Sequence, residues 1–549
     1  MWPGVCRIIA VTARVGVVML VGTSGAAFGG TIYVDDDAPN DPCPSDPLCS
    51  DPDEDGSLAH PFDSIREGVD AAVAGDEVVV LDGYYAGWGN VWLGWTKADL
   101  TVRSQNGPET CVIDAWPSAC AFFFNGPVSG PVICGFTICN AGVSAIESEV
   151  ASLTVANCIL HDNGRSGANG AVYCVGVSHT ITDCIFHDNR GMNGGAVHCD
   201  EGASPTITNC TFHDNEAILD YGGAVSAEDG SCPVMINCRF VRNIAPDRGG
   251  AVGADWTSHV TLTGCEFSDN SAGTGGAVYG RATMTNCLLY DNYATWEGGA
   301  ISSLGATIAN CTMYANTAGF FGGAVACDGP SQLTNCTFYN NTADGGAAIY
   351  VYTSGPVTLE NCTVYGNTAY SHGGAIHASA RTDVRSCILW ANLPEEVLPY
   401  TSVYIAYSDV HGGWAGEGNL NVDPLFVDAD GPDDVLGNGD DNLRLSAASP
   451  CINTGDPEYE PGAPPGEADL DGHPRLLCGR VDMGAYEFGS GDYDCNRAVN
   501  LADYAAWTAC MTGPEAGPYP LGCEAFDFDT DADVDLADFS AFEVVFAGG

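Results

Sequence analysis

Apolar and polar positions through the middle of the chain fall into columns with a period of about 25 residues, not into helical or simple alternating order. Cys158, Cys184, Cys210, Cys238, Cys265, Cys287, Cys311, Cys336, Cys362 and Cys387 recur every 22 to 28 residues, and Cys111 and Cys134 extend the column backwards. Five residues after each of the ten stands an asparagine: Asn163, Asn189, Asn215, Asn243, Asn270, Asn292, Asn316, Asn341, Asn367 and Asn392. A second column reads Gly-Gly-Ala-Val or close to it, as at 194–197, 222–225, 275–278 and 373–376. Leucine is too sparse for leucine-rich repeats, and a propeller blade needs a period of about 40–45 residues. Short β-branched runs between Gly and Asn fit three short strands and three corners per turn.

The parity of the apolar positions marks one corner. Same-side residues of a strand differ by an even number. Ile207 and Cys210, both apolar, differ by an odd one, so the chain bends between them. The residue before each Cys is Asn157, Asp183, Asn209, Asn237, Gly264, Asn286, Asn310, Asn335, Asn361 or Ser386. These types tolerate left-handed backbone or make local side-chain turns. The pattern predicts an all-β fold, a right-handed parallel β-helix of about 12 coils. Its Cys column should be buried and reduced, because stacked neighbours sit about 4.8 Å apart and a disulfide wants Cβ atoms at about 3.8 Å. An amphipathic helix over 61–74 should cap the N-terminal end. Ser64 and Glu67 form its capping box, and Ile65, Val69, Ala72 and Val73 its apolar stripe.

Residues 1–30 read as an export signal: Arg7 and Arg14, a short apolar core over 15–21, and small residues before a cut expected after Ala27. No later segment is apolar enough to span a membrane. The expected location is secreted or at the cell surface. Cysteines outside the repeat are then expected in disulfides, Cys43 with Cys49, Cys451 with Cys478, and Cys510 with Cys523. The formal charge of −54 argues against nucleic acid as a partner. An anionic polysaccharide would need a bridging cation.

The pairing of Gly-Gly-Ala-Ile/Val with Phe-x-x-Asn, as in Phe186 to Asn189 and Phe212 to Asn215, resembles the repeats of chlamydial polymorphic outer-membrane proteins, adhesins with β-helical passengers. The stretch 75–85 is similar to the entry of a pectate-lyase-like β-helix. Residues 423–488, through 423–426, 449–452 and 481–488, resemble the choice-of-anchor Q segment of secreted β-helix proteins. Residues 489–549 resemble a dockerin. Asp492, Asp494, Asn496, Asn500 and Asp503 follow the calcium-loop spacing 1, 3, 5, 9, 12, and Asp527, Asp529, Asp531, Asp535 and Asp538 repeat it. The sixth position, ordinarily glycine, is Arg497 or Ala532. The resemblance implies calcium as cofactor and a cohesin-like protein as partner. The expected organisation is signal 1–30, capped β-helix 31–400, choice-of-anchor Q-like part 401–488, and a small α-helical calcium-loop domain over 489–549.

Catalytic chemistry is not visible in the repeat. Lys97 is the one lysine and stands outside it, the arginines are scattered over coils, and no paired-carboxylate motif appears. Acids on adjacent coils could still form a general acid and base. Three residues after each Cys the chain places His161, His187 and His213, then Tyr290, Tyr314, Tyr339, Tyr365 and Trp390. The histidines, each followed by Asp, read as a hydrogen-bonded stack. The later five are candidate glycan-stacking residues if exposed, and an aromatic stack under a loop if not. Two functions stand side by side. One is a non-catalytic exported protein that binds a glycan or a surface partner. The other is a polysaccharide lyase or glycoside hydrolase.

Overall fold

The computed structural model describes residues 29–37, 52–117, 119–164, 167, 169–460, 468–489, 491–499, 501–512, 523–528 and 533–548. The export-signal residues 1–28 and Cys43 and Cys49 lie outside these. The chain divides into two compact units, 1–261 and 262–549. Both are parallel β-solenoid, and about 13 turns are counted where the cysteine column marks twelve.

In the first unit a representative coil runs through strands Val197–Asp200, Thr206–Thr208, Thr211–His213 and Glu216–Ala217. Each strand of the first three pairs in parallel and in register with its counterpart one turn on: Val197 with Val225, Ile207 with Met235, Phe212 with Phe240. Ile207, Cys210 and Phe212 are buried together, as the parity argument requires. All ten residues before the column cysteines have φ between +47° and +62°, so the corner is left-handed in every coil. The Gly-Gly pair has two separate reasons. Gly222 sits at φ 61°, and a Cβ on Gly223 would stand 2.1 Å from the Gly250 carbonyl oxygen of the next turn. The capping helix is Ile65–Ala71 with the Ser64–Glu67 capping box formed. It ends sooner than expected, and Val73 is exposed and outside its stripe.

Two features of the coil were not anticipated. The residue before each ladder asparagine is also left-handed, from Asp162 at φ 56° to Ala391 at φ 60°. A short fourth strand then follows. In the second unit Ser271–Thr274, Tyr293–Glu297, Thr317–Ala318, Thr342–Gly345 and Thr368–His372 form a five-stranded sheet of their own. The second unit also fuses two strands where its period shortens. Val278–Thr285 and Ile301–Ala309 run on without a loop, kinked at Gly280 and Gly305.

Past the last coil, Phe426–Asp428 pairs antiparallel with Asn442–Leu445. Arg475, fully buried, is 3.1 Å from Glu487 among the buried carboxyls of Asp469 and Asp482. Helices Leu501–Cys510 and Leu536–Gly548 close around Trp507, Phe526, Val534 and Phe542. The Cys510–Cys523 disulfide is present. The expected Cys451–Cys478 bond is not: Cys478 pairs with Cys495, and Cys451 is a buried free thiol 3.4 Å from Asp409. Cys478 and Cys495 are 17 residues apart but fall in different segments of the chain, one before the C-terminal module and one inside its first loop. No thiol of the repeat column is in a disulfide.

Candidate functional site

The residues three after each cysteine divide between the units. In the first, His161, His187 and His213 stack with centroids 4.9 and 5.0 Å apart and rings within 4° of parallel. Each Nδ1 lies 2.8 Å from the following aspartate. In the second, Tyr290, Tyr314 and Tyr339 stack at 5.1 and 5.0 Å. Tyr314 and Tyr339 are only 7% and 6% exposed, because Leu443, Phe426 and Leu436 pack over them. Tyr339 Oη donates to the Asn438 carbonyl at 3.2 Å. Phe426 meets Tyr365 edge-on, and His411 covers Trp390 at 4.6 Å. Of the five candidate glycan-stacking residues, Tyr314 and Tyr339 are thus covered, and Tyr290, Tyr365 and Trp390 are half-buried. The apolar positions of the segment after the last coil need a partner surface, and this is the one they take.

A different aromatic strip on the second unit is open at Trp296, Phe320 and Tyr400 and largely buried between them. Register places Tyr350 beside His377 on successive strands, 8% and 7% exposed. The fourth strand, Tyr293–Glu297, carries Trp296 next to its end, and Phe320 follows it one turn on. Rings then succeed one another: Trp296 to Phe320 at 5.2 Å, Phe321 to Tyr350 at 4.3 Å, Tyr350 to His377 at 4.7 Å and His377 to Tyr400 at 5.1 Å. Trp296, Phe320 and Tyr400 are 55%, 44% and 67% exposed. Polar groups edge the strip. Tyr352 Oη donates to Glu297, whose carboxyl is pushed up by burial. Burial also lowers the His377 pKa, favouring the neutral ring. Sequence reading missed this strip because its members come from different columns of the repeat.

On the same unit, a cleft of about 600 Å³ is lined by Gln332, Thr358, Arg381, Asp383, Arg385 and Tyr404. Arg381 pairs with Asp383 at 2.9 Å and lies 5.4 Å from the Tyr404 ring centre; Arg385 pairs with Asp456 at 2.5 Å. Each guanidinium faces a carboxylate, so the cleft offers fixed donors and acceptors more than net positive charge. Both arginines come from one strand, Thr382–Arg385, and the residue just before it.

On the first unit the register Cys199–Ala227–Ala254 sets the next residues, Asp200, Glu228 and Asp255, in line on successive coils. Like charges at strand spacing cannot all be carried cheaply. Burial, then the charges of Asp200 and Asp255, raise Glu228 to about 7. Burial pushes Asp255 up as well, but hydrogen bonds from Ser258 and Thr257 bring it below the usual range. His198 Nδ1 lies 2.5 Å from Ser226 Oγ and 3.8 Å from Glu228 Oε1, and Arg248 pairs with Asp220 at 2.8 Å. One carboxyl with a raised pKa in line with one whose pKa is lowered is the kind of pairing an acid–base reaction needs.

In the C-terminal module, carboxylate oxygens of Asp492, Asp494 and Asp503 lie within 4.8 Å of one another, and so do those of Asp533, Asp535 and Asp538. Asp527 is buried beside the second group's loop. Asn496 contributes its backbone N–H to Asp492 Oδ1 at 3.1 Å. Asn500, Asp529 and Asp531 lie outside the described residues. Asp533 was not among the expected ligands. All-oxygen donor sets of this kind suit a hard cation such as calcium.

Residues 128–302 and 247–389 match the family model of the right handed beta helix region. No curated protein matches the chain. Solved structures with partial likeness include the complex structure of XylC with xylose, 10% identical, covering 72% of this chain and 87% of that one, with a TM-score of 0.34. They also include the crystal structure of pectate lyase Pel9A, 16% identical, covering 84% and 97%, TM-score 0.26. A rhamnogalacturonan lyase is 12% identical, covering 75% and 96%, TM-score 0.26. Among the described residues no helix is long and apolar enough to cross a membrane. The chain is an all-β protein of right-handed parallel β-helix fold.

Proposed function

We propose that this is an exported protein that binds a polysaccharide along its second unit and carries a calcium-binding C-terminal module for a protein partner of the cohesin-like kind. The exposed strip of Trp296, Phe320 and Tyr400, joined through Phe321, Tyr350 and His377, carries the reading. Flat ring faces stack on the apolar faces of sugars, and the flanking Glu297, Tyr352 and cleft side chains accept and donate to hydroxyls. The acidic chain favours a neutral glycan. Disulfides at Cys478–Cys495 and Cys510–Cys523 support an oxidising compartment. Affinity electrophoresis in gels cast with neutral and uronic-acid glycans tests the binding. Retardation by a neutral glycan is expected, with Trp296→Ala and Tyr400→Ala each weakening it about ten-fold. Equal retardation of Trp296→Ala and the unaltered chain would sink the strip.

The Asp200–Glu228–Asp255 line favours a second reading, glycoside hydrolysis. Glu228 would protonate the leaving glycosidic oxygen while an ionised neighbour activates the water that adds to the sugar. Release of reducing ends that Glu228→Gln abolishes, with glycan retardation kept, would establish it over the non-catalytic reading.

A further inference from the structure

The first calcium loop, 492–503, is held by more than its own module. Two of its residues that carry a Cβ lie in left-handed backbone, Cys495 at φ 56° and Arg497 at φ 69°. Arg497 stands at the sixth position, where the sharp turn calls for glycine. Such conformations persist when surrounding contacts over-determine them, and here both residues are tied to the segment before the module. Cys495 is disulfide-bonded to Cys478. Arg497 Nη1 donates to the carbonyls of Ser449 at 3.2 Å and Ala447 at 3.5 Å.

The ties reach the ligands directly. The backbone N–H of Arg497 donates to Asp492 Oδ2 at 2.6 Å, and that of Asn496 to Asp492 Oδ1 at 3.1 Å. The residues flanking and following Cys495 therefore aim the buried Asp492 carboxylate toward Asp494 and Asp503. The second group is oriented from within the module: Asp538 accepts from the N–H groups of Phe528 at 2.7 Å and Asp535 at 2.8 Å.

We infer that the first loop is a composite cation site, completed by residues 447–449 and 478, whose affinity depends on the Cys478–Cys495 bond and on the reach of Arg497. The second loop does not depend on them. This inference rests on the calcium reading. It adds that the two loops are unequal and that the preceding segment governs one of them. An isolated 489–549 module would then present one well-formed site, and the intact chain two.

Calorimetric Ca²⁺ titration of the full chain tests this. The unaltered chain is expected to take up two ions. Cys478→Ser with Cys495→Ser should weaken one site about ten-fold, the scale of a left-handed residue no longer held, and leave the other unmoved. In an Asp538→Asn background, which disables the second loop, the weakened site should be the one that remains. Cys495→Gly supplies at that position a residue that needs no tether, so Cys478→Ser with Cys495→Gly should keep the affinity that the double variant loses. Two unchanged sites in the double variant, or no rescue by Cys495→Gly, would overturn the composite site and leave the calcium reading standing. No uptake by the unaltered chain would overturn both.

Discussion

Each ladder asparagine makes a set of bonds that no other side chain reproduces. Asn316 Nδ2 lies 2.9 to 3.0 Å from the carbonyls of Leu289 and Tyr314 and from Asn341 Oδ1. Its own Oδ1 accepts the backbone and side-chain N–H groups of Asn292, at 3.1 and 3.0 Å. Aspartate would lose the donors and alanine would lose everything. The partners left behind are buried, and each such group costs roughly 1–3 kcal/mol. Asn316→Ala should therefore destabilise the second unit by about 3 kcal/mol or more, seen as a lower urea midpoint. The control is Thr358→Ala, an outward-facing change in the same unit, expected to cost less than about 0.5 kcal/mol.

At the scale of elements, a ladder needs an end. The second unit's asparagine ladder stops at Asn392, and Glu396 supplies what the next asparagine would have. Its Oε1 accepts the Asn392 backbone N–H at 3.1 Å and its Oε2 the side-chain amide at 2.6 Å. The cysteine ladder ends likewise: the Cys387 N–H finds Ser408 Oγ at 3.0 Å where earlier coils offer a thiol. Glu396→Gln turns one acceptor into a donor that faces a donor. A loss of about 1–3 kcal/mol is expected. Hydrogen exchange should read it as faster exchange of the Asn367 and Asn392 amides with Asn292 unchanged; uniform change along the ladder would contradict a local role for Glu396. The strip and the covered tyrosine stack are also matters of elements, since which ladder stays open depends on where the last antiparallel pair comes to rest.

For the whole molecule, the buried acids set the pH response. Burial raises Asp36, Glu228 and Glu396 to about 7 and Asp482 to about 6. A carboxyl whose pKa is higher folded than unfolded binds its proton more tightly in the folded state. The stability it contributes is full below the unfolded value near 4 and is lost as pH rises through the folded value. The −54 formal charge adds repulsion in the same direction. The melting temperature should thus rise as the pH is lowered from 8 to 5 at fixed ionic strength and without calcium. A flat or inverted profile would contradict it.

The sequence by itself determined the coil. The even and odd spacing of Ile207, Cys210 and Phe212, the turn-forming residue before every cysteine, and the Asn and Gly-Gly columns are local and repeated. A stacked repeat places identical residues in identical surroundings, so each column declares its own environment. The Ser64–Glu67 cap was legible for the same reason: its partners lie within a few residues. The tertiary structure alone decided what covers what. Whether Tyr314 faces solvent depends on Leu443, over a hundred residues on; whether Trp296 and Tyr400 share a surface depends on stacking between different columns. Cys478 finding Cys495 and not Cys451, and Asp200, Glu228 and Asp255 sharing one line, are set by coil register and by where the chain returns after the last turn. Those are distances through space, and spacing along the chain carries them only where the repeat is strict.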